Sequence, residues 1–357
     1  MTEVNLHTPG RIGDLSIPNR LIMSPMTRNR ALPNGVPSEL AIEYYTQRAS
    51  AGMILTEGTA PNAGGIGYIR TPAAETPEQM AAWRRITDAV GARNGRMFLQ
   101  LMHCGRIASP LNRYVDEPPV APSAVKAAGQ IWTDAKGLQD FAEPRALTPA
   151  EIARVIDGYA QATRNAMAAG FAGVELHAAS GYLPMQFLSS NTNQRTDAYG
   201  GSVTNRIRFV IETLDAMIAA AGSSTRVGIK ISPQMPFNDI HDADPVETYT
   251  TLVKALAGKK LGYLHVLQTA LPNTFQLLRP LYPGTFAAAG GFTRESGNAA
   301  LASGLADFIV YGKLFIANPD LPYRFATGAP LAAWDASTFY SAGPKGYTDQ
   351  PALQPAA

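Results

Sequence analysis

The chain has 357 residues, 46% hydrophobic and 16% charged, so it can bury one large core, and its length allows one big barrel or two ordinary domains. Its net charge is +2 with acids and bases interspersed, which leaves no nucleic-acid footprint and no acidic tail. Cys104 is the only cysteine, which excludes an internal disulfide and any thiolate-held iron–sulfur cluster or structural zinc site.

The opening "MTEVNLHTPGRIGDLS" lacks the basic, apolar and small-residue segments of a signal peptide, and no run of about 18 apolar residues follows. A soluble protein of the reducing cytoplasm, with no membrane partner, is the expectation. Residues 5–18 read as a small hairpin closing the bottom of a barrel. Short apolar runs then alternate with amphipathic segments, the pattern of βα units around a parallel sheet. The predicted strands are "RLIMSP" (20–25), "GMILTE" (52–57), "RMFLQLM" (96–102), "GVELHA" (173–178), "VGIKIS" (227–232), "YLHVLQ" (263–268), "TFAAAG" (285–290) and "DFIVYG" (307–312). Eight such runs predict a closed (β/α)8 TIM barrel, one domain over residues 1–357. Residues 104–147, punctuated by Gly and Pro, form a long excursion after the third strand, and such excursions shape active sites. The clearest helix begins at "LTPAEIARVIDGYAQATRNAMAAG", where Thr148 and Glu151 form a capping box with Pro149 at the first helical position. Ile152, Val155, Ile156, Tyr159 and Met167 recur on its predicted core face.

In such a barrel, function sits at the C-terminal strand ends. Read in order, these ends carry Pro25, Met26 and Thr27; Glu57 and Gly58; Gln100 and Met102; His177, Ser180 and Tyr182; Lys230; Gly290 and Gly291; and Gly312 with Lys313. Gly290-Gly291 lets backbone N–H groups approach an anion, and Gly312-Lys313 adds amides and a cation, the usual phosphate position of these barrels. Turn glycines are the competing reading.

Several stretches resemble, colinearly over nearly the whole chain, the old yellow enzyme family of FMN-dependent ene-reductases. They are "SPMTRNRA" (24–31), "LQLMHCGR" (99–106), "VELHAASGYLPMQFLSSNTNQRTDAYGGSVTNRIRF" (174–209), "AAGGFTRES" (288–296), "FIANPDLPYRF" (315–325) and "GYTDQPAL" (346–353). The resemblance implies FMN bound non-covalently across the barrel mouth and NADPH or NADH as reductant. It places Thr27 at the flavin C4 carbonyl, Gln100 at the pyrimidine edge and Lys230 near N1 and the C2 carbonyl. Backbone of Pro25, Met26 and Gly58 lines the ring, and Gly290, Gly291, Gly312 and Lys313 hold the phosphate. No metal is implied.

The same resemblance implies that His177 and the residue three positions on donate hydrogen bonds to the carbonyl or nitro oxygen of an activated alkene. Hydride then passes from the reduced flavin N5 to the β-carbon, and Tyr182 protonates the α-carbon. Tyr68, Met102 and Tyr347 match pocket positions. Four residues depart from the family's usual types: Lys230 and Lys313 stand for arginine, Met102 for tryptophan, and Ser180 for asparagine or histidine. Point charges thereby replace planar forks, a thioether replaces an indole, and Ser180 offers a hydroxyl about one heavy-atom layer shorter. His103 and Arg106 read as structural and Cys104 as a packing thiol. Reduction of nitro compounds or nitrate esters, which does not need Tyr182, and a flavin-dependent isomerase of secondary metabolism are the alternative functions.

Overall fold

The computed structural model describes residues 4–353. Eight parallel strands close into a barrel in sequence order: β1 (Leu21–Met23), β2 (Met53–Leu55), β3 (Met97–Leu101), β4 (Gly173–Ala178), β5 (Val227–Ile231), β6 (Tyr263–Leu267), β7 (Phe286–Ala289) and β8 (Phe308–Tyr311). Each predicted run supplies one strand, trimmed at its ends. The barrel closes where β8 pairs with β1 through Ile309↔Leu21, Val310↔Ile22 and Tyr311↔Met23.

The strands are buried on both faces, which is why they read as apolar runs rather than alternating ones. Ile22, Met53, Leu55, Phe98, Tyr263, Ala287, Phe308 and Val310 fill the lower interior, each large side chain contributing about 1.5–3 kcal/mol by leaving water. Two glycines make room for the largest rings. A Cβ on Gly173 would sit 2.3 Å from the Phe98 ring, and one on Gly228 would sit 2.3 Å from the Tyr263 ring. The hairpin Gly10–Ile12/Leu15–Ile17 plugs the bottom as expected, with Ile12 and Ile17 joining that cluster.

Helices coat the outside. Thr148 caps Pro149–Ala168 through a full capping box with Glu151, and Thr76 caps Pro77–Gly91 likewise with Gln79. On Pro149–Ala168 the buried stripe is Ile152, Tyr159, Ala160, Ala162, Thr163 and Ala166. Val155, Ile156 and Met167 only flank it, because close helix packing selects small side chains over the larger ones that periodicity marks. No described helix is long and apolar enough to cross a membrane.

The excursion after β3 carries an antiparallel hairpin, Gln130–Thr133 with Gly137–Asp140, and a short parallel pair, Val120–Ala121 with Arg145–Ala146. Ile131 and Phe141 turn inward onto Met102, Cys104, Ile107 and Tyr182. Arg195, inside the "NQRTDAYGGS" block, donates to the carbonyls of Pro122 (2.8 Å) and Leu147 (2.5 Å) and pairs with Asp197. That motif therefore stitches the excursion to the barrel wall.

Candidate active site at the barrel mouth

Strand pairing puts the polar residues in register. Gln100 lies beside Glu175, His177 beside Lys230, and Lys230 beside His265. Side chains two apart on a strand share a face, so Glu175 and His177 both point inward, as does Lys230, which lies in register with His177. The result is a polar layer above the apolar interior. The Gln100 amide donates to Glu175 Oε1 at 2.7 Å, and His265 Nδ1 lies 3.0 Å from Glu175 Oε2. Burial lowers the pKa of Lys230, while Glu175 acts in the opposite direction.

At the end of β4 the backbone turns sharply through Ser180 (φ 56°) and Gly181 (φ 78°) into the short helix Leu183–Leu188. Ser180 N donates to Ser232 Oγ at 2.8 Å, and Ser180 O accepts from Asn238 Nδ2 at 2.8 Å, so the turn is tied from both sides. His177 Nδ1 accepts from the Ala179 N–H at 3.3 Å. A neutral imidazole with that nitrogen accepting carries its proton on Nε2. Burial holds His177 well below its ordinary pKa, helped by Lys230 and His265. A neutral imidazole is thus a fixed hydrogen-bond donor.

The Tyr182 ring stands edge-on to His177, centroids 4.9 Å apart at 84°. Its hydroxyl lies 3.3 Å from that of Tyr68, and burial pushes its pKa well above 10, with Tyr68 and Cys104 adding to the shift. Met102 lies against Gly58: a Cβ on Gly58 would sit 2.5 Å from the Met102 sulfur. Pro25, Met26 and Thr27 are partly exposed at the rim.

Across the mouth, a cavity of about 870 Å³ is lined by Ser24, Leu267, Gly290, Gly291, Gly312 and Lys313 among others. Gly290 (φ 142°) and Gly291 (φ 79°) adopt left-handed backbone, and a Cβ on Gly290 would sit 2.7 Å from the Gln268 Cβ. Lys313 is exposed, its ammonium 5.8 Å from the Trp334 ring. Open amides and an unburied cation suit a phosphate, and the cavity has room for the ribityl chain of a flavin nucleotide. Among the described residues no cluster of His, Cys, Asp or Glu could hold a metal ion.

Residues 5–332 match the NADH:flavin oxidoreductase / NADH oxidase family. The chain belongs to the old yellow enzyme family. It is an FMN-dependent NADH:flavin oxidoreductase. It is 41% identical over 365 residues to 12-oxophytodienoate reductase 1 of Oryza sativa subsp. japonica, covering 98% of this chain and 94% of that protein. The solved structure of morphinone reductase in complex with tetrahydroNAD superposes with a TM-score of 0.94 at 41% identity, over 98% of each chain. The old yellow enzyme homologue from Zymomonas mobilis gives 0.95 at 38%, over 98% of this chain and all (100%) of that one.

Within this old yellow enzyme frame one expected position needs correction. Tyr347 does not line the mouth. It is fully buried, stacked on Tyr44 with centroids 4.0 Å apart, and the Arg30 guanidinium lies 4.6 Å from its ring. Arg28 and Arg30 reach past it to the carbonyls of Thr338, Phe339, Gly343, Lys345 and Gly346, clamping the C-terminal segment to the end of β1. Tyr340 is the tyrosine of that segment at the surface, 61% exposed and electrostatically coupled to both Tyr68 and Tyr182. Asn238, also at the elbow, carries no sequence signal beyond its tolerance of left-handed backbone. His103 and Arg106 are buried, and burial pushes the Cys104 thiol up to about 12.

Proposed function

We propose that this oxidoreductase reduces α,β-unsaturated carbonyl and nitro compounds with NADPH or NADH. The observation that carries the reading is the edge-on pair of His177 and Tyr182 at the end of β4, a neutral imidazole donor beside a protonated phenol. FMN, held by the residues named below, would supply the two-electron hydride chemistry that links the nicotinamide to the alkene.

The chain's own residues do the rest. His177 Nε2–H polarises the substrate oxygen, with Ser180 at the second donor position, and the β-carbon becomes electrophilic. Tyr182 delivers the proton to the α-carbon, and its raised pKa keeps it protonated at neutral pH. Lys230, in register with His177, supplies positive charge at the pyrimidine side, where Gln100 and Thr27 donate or accept hydrogen bonds. Pro25, Met26 and Gly58 present backbone to the ring. Gly290, Gly291, Gly312 and Lys313 take the phosphate. Met102 bounds the substrate space beside Gly58. The names of the relatives, reductases of 12-oxophytodienoate and of morphinone, support an activated alkene as substrate, and the tetrahydroNAD complex supports a nicotinamide reductant.

Stopped-flow kinetics of Tyr182→Phe tests the assignment. Reduction by nicotinamide should be unchanged, while reoxidation by cyclohexenone slows by about 10²-fold or more, the usual cost of losing a general acid. Equal slowing of both half-reactions rejects the role. Unimpaired cyclohexenone reduction in the variant removes the proton-donor role, and a parent enzyme that consumes only a nitrate ester selects nitro-group reduction instead.

A further inference from the structure

The loop following β5 is held in an unusual backbone. Gln234, Asn238 and Asp239 have φ of 53°, 59° and 53°. Asn and Asp tolerate this region and Gln does so less readily. Such a cluster persists only where surrounding structure enforces it, and it points to a functional constraint.

Two contacts enforce it. Arg106 is fully buried, and its Nη2 donates to the carbonyls of Asn238 (3.2 Å) and Asp239 (2.5 Å) while Nη1 donates to Val125 O (3.2 Å). From the opposite side Gly181 lets the loop approach the elbow, since a Cβ there would sit 2.7 Å from the Asn238 Cβ. Asn238 is thereby clamped beside Ser180, whose carbonyl accepts from its Nδ2 at 2.8 Å. Burial raises the pKa of the neighbouring Tyr68 hydroxyl, and the Asn238 and Tyr182 side chains act in the opposite direction.

The hydroxyls thus form a line. Tyr182 is 7% exposed, and among the described residues its hydroxyl has one hydrogen bond, to Tyr68. Tyr68 and Asn238 are half-buried. A substrate in the mouth would close the front of Tyr182 and leave the side toward Tyr68.

We infer that Tyr68 reprotonates Tyr182 in each catalytic cycle, with Asn238 holding and polarising the relay at the solvent edge. The inference rests on the proposed role of Tyr182 as proton donor. When the Tyr182 O–H bond has broken and its proton is on the α-carbon, the Tyr182 oxygen takes the hydroxyl proton of Tyr68. The Tyr68 oxygen then takes a proton from water beside the 234–239 loop, so no oxidant or reductant is consumed. The Asn238 N–H stabilises the charge that rests on Tyr68 between the two transfers. Tyr68 is then a relay and positioning residue, distinct from a pocket wall.

The test compares holoenzyme variants Tyr68→Phe, Asn238→Ala, Tyr340→Phe and Tyr182→Phe in two measurements with cyclohexenone: the first reoxidation in stopped flow, and steady-state turnover in H2O and D2O. In Tyr68→Phe the first reoxidation should match the parent, because Tyr182 starts protonated. Later turnovers should slow by roughly 10²-fold, at the low edge of proton-transfer effects, giving a burst of one product equivalent and a larger solvent isotope effect. Asn238→Ala should shift both readouts the same way by less, and Tyr340→Phe should shift neither. The relay is overturned if Tyr68→Phe shows no burst and the parent isotope effect, if it slows the first reoxidation as much as the later ones, or if Tyr340→Phe carries the loss. Tyr182→Phe separates the two ideas. A normal first reoxidation in that variant removes the proton-donor role itself, whereas a slow one alongside an unaffected Tyr68→Phe removes only the relay.

Discussion

Glu175 and His265 meet at 3.0 Å in the barrel interior, and neither side chain reaches solvent. The other carboxylate oxygen accepts from Gln100 at 2.7 Å. Because Glu175 occupies the Gln100 –NH2, the carbonyl of that amide is left to face the mouth. Glu175→Leu strands two polar partners in the interior and is expected to cost about 3–5 kcal/mol by chemical denaturation. Glu175→Gln, which can still pair with both, is expected to cost far less. Equal losses in the two variants would show that volume rather than pairing matters here.

Acid should destabilise the protein through its buried histidines. Burial holds His103, His177 and His265 below their ordinary pKa, His103 at about 3 with Arg113 assisting. A base whose folded pKa is depressed takes up protons first in the unfolded chain. Its stabilisation is therefore complete above the ordinary histidine pKa of 6.5 and is lost as pH falls toward the folded value, at up to about 1.4 kcal/mol per pH unit per group. Glu57 opposes this. Burial raises it from 4.5 to about 7, so its contribution is lost as pH rises through that window. With three histidines against one carboxyl, the denaturation midpoint is expected to drop between pH 6.5 and 5, and His103→Asn should flatten the slope.

Gly58 and Met102 give a test of pocket width. A Cβ on Gly58 meets only the sulfur (2.5 Å) and methyl (2.6 Å) at the flexible end of Met102, with its Cβ at 3.2 Å. Gly58→Ala should thus fold and push the thioether into the mouth. Met102→Trp narrows the same space with a larger, stiffer group. Both are expected to reduce turnover of bulky β-substituted enones while sparing cyclohexenone, and equal losses on both substrates would place Met102 outside the pocket.

Ser180 sits in left-handed backbone, which asparagine tolerates, and its turn is held by Ser232 and Asn238 through main-chain atoms alone. Ser180→Asn should leave the turn intact and add reach toward the substrate oxygen. Tighter binding of p-hydroxybenzaldehyde, seen as a stronger long-wavelength charge-transfer band, is the expected result, with faster reduction of weakly activated enones. If Ser180→Ala binds the phenol as tightly as the parent and Ser180→Asn gains nothing, the position does not touch that oxygen.

Lys313 is a point charge at the open end of the cavity proposed to take the phosphate. Lys313→Arg, with a planar fork suited to phosphate, should slow FMN release. Lys313→Ala should weaken FMN while leaving riboflavin affinity nearly unchanged. A parallel loss for riboflavin would move Lys313 away from the phosphate.

The eight strands, the bottom hairpin and the Thr148 cap were legible because each depends on a few neighbouring residues: an apolar run, a turn, a capping box. The positions of His177, Tyr182 and the glycine pairs at strand ends were legible for the same reason, because they follow from where the apolar runs stop. The Tyr347 clamp was not legible. Its partners Arg28 and Arg30 are some 300 positions away and act on backbone carbonyls, which have no residue signature. Asn238 was invisible for a related reason, since it is placed by Arg106 and Gly181 from two other loops. The glutamate in "GVELHA" looked like one more strand residue until register set it against Gln100.

The clamp also fixes an order of events. The wall of the mouth made by residues 25–30 is synthesised some 300 residues before the carbonyls between Thr338 and Gly346 that its arginines bind. The β1–β8 pairing imposes the same delay. Translation must pass residue 346 before that wall has its partners, so cofactor loading belongs after that point, and a nascent chain stalled before β8 would expose an unclosed sheet edge to chaperones.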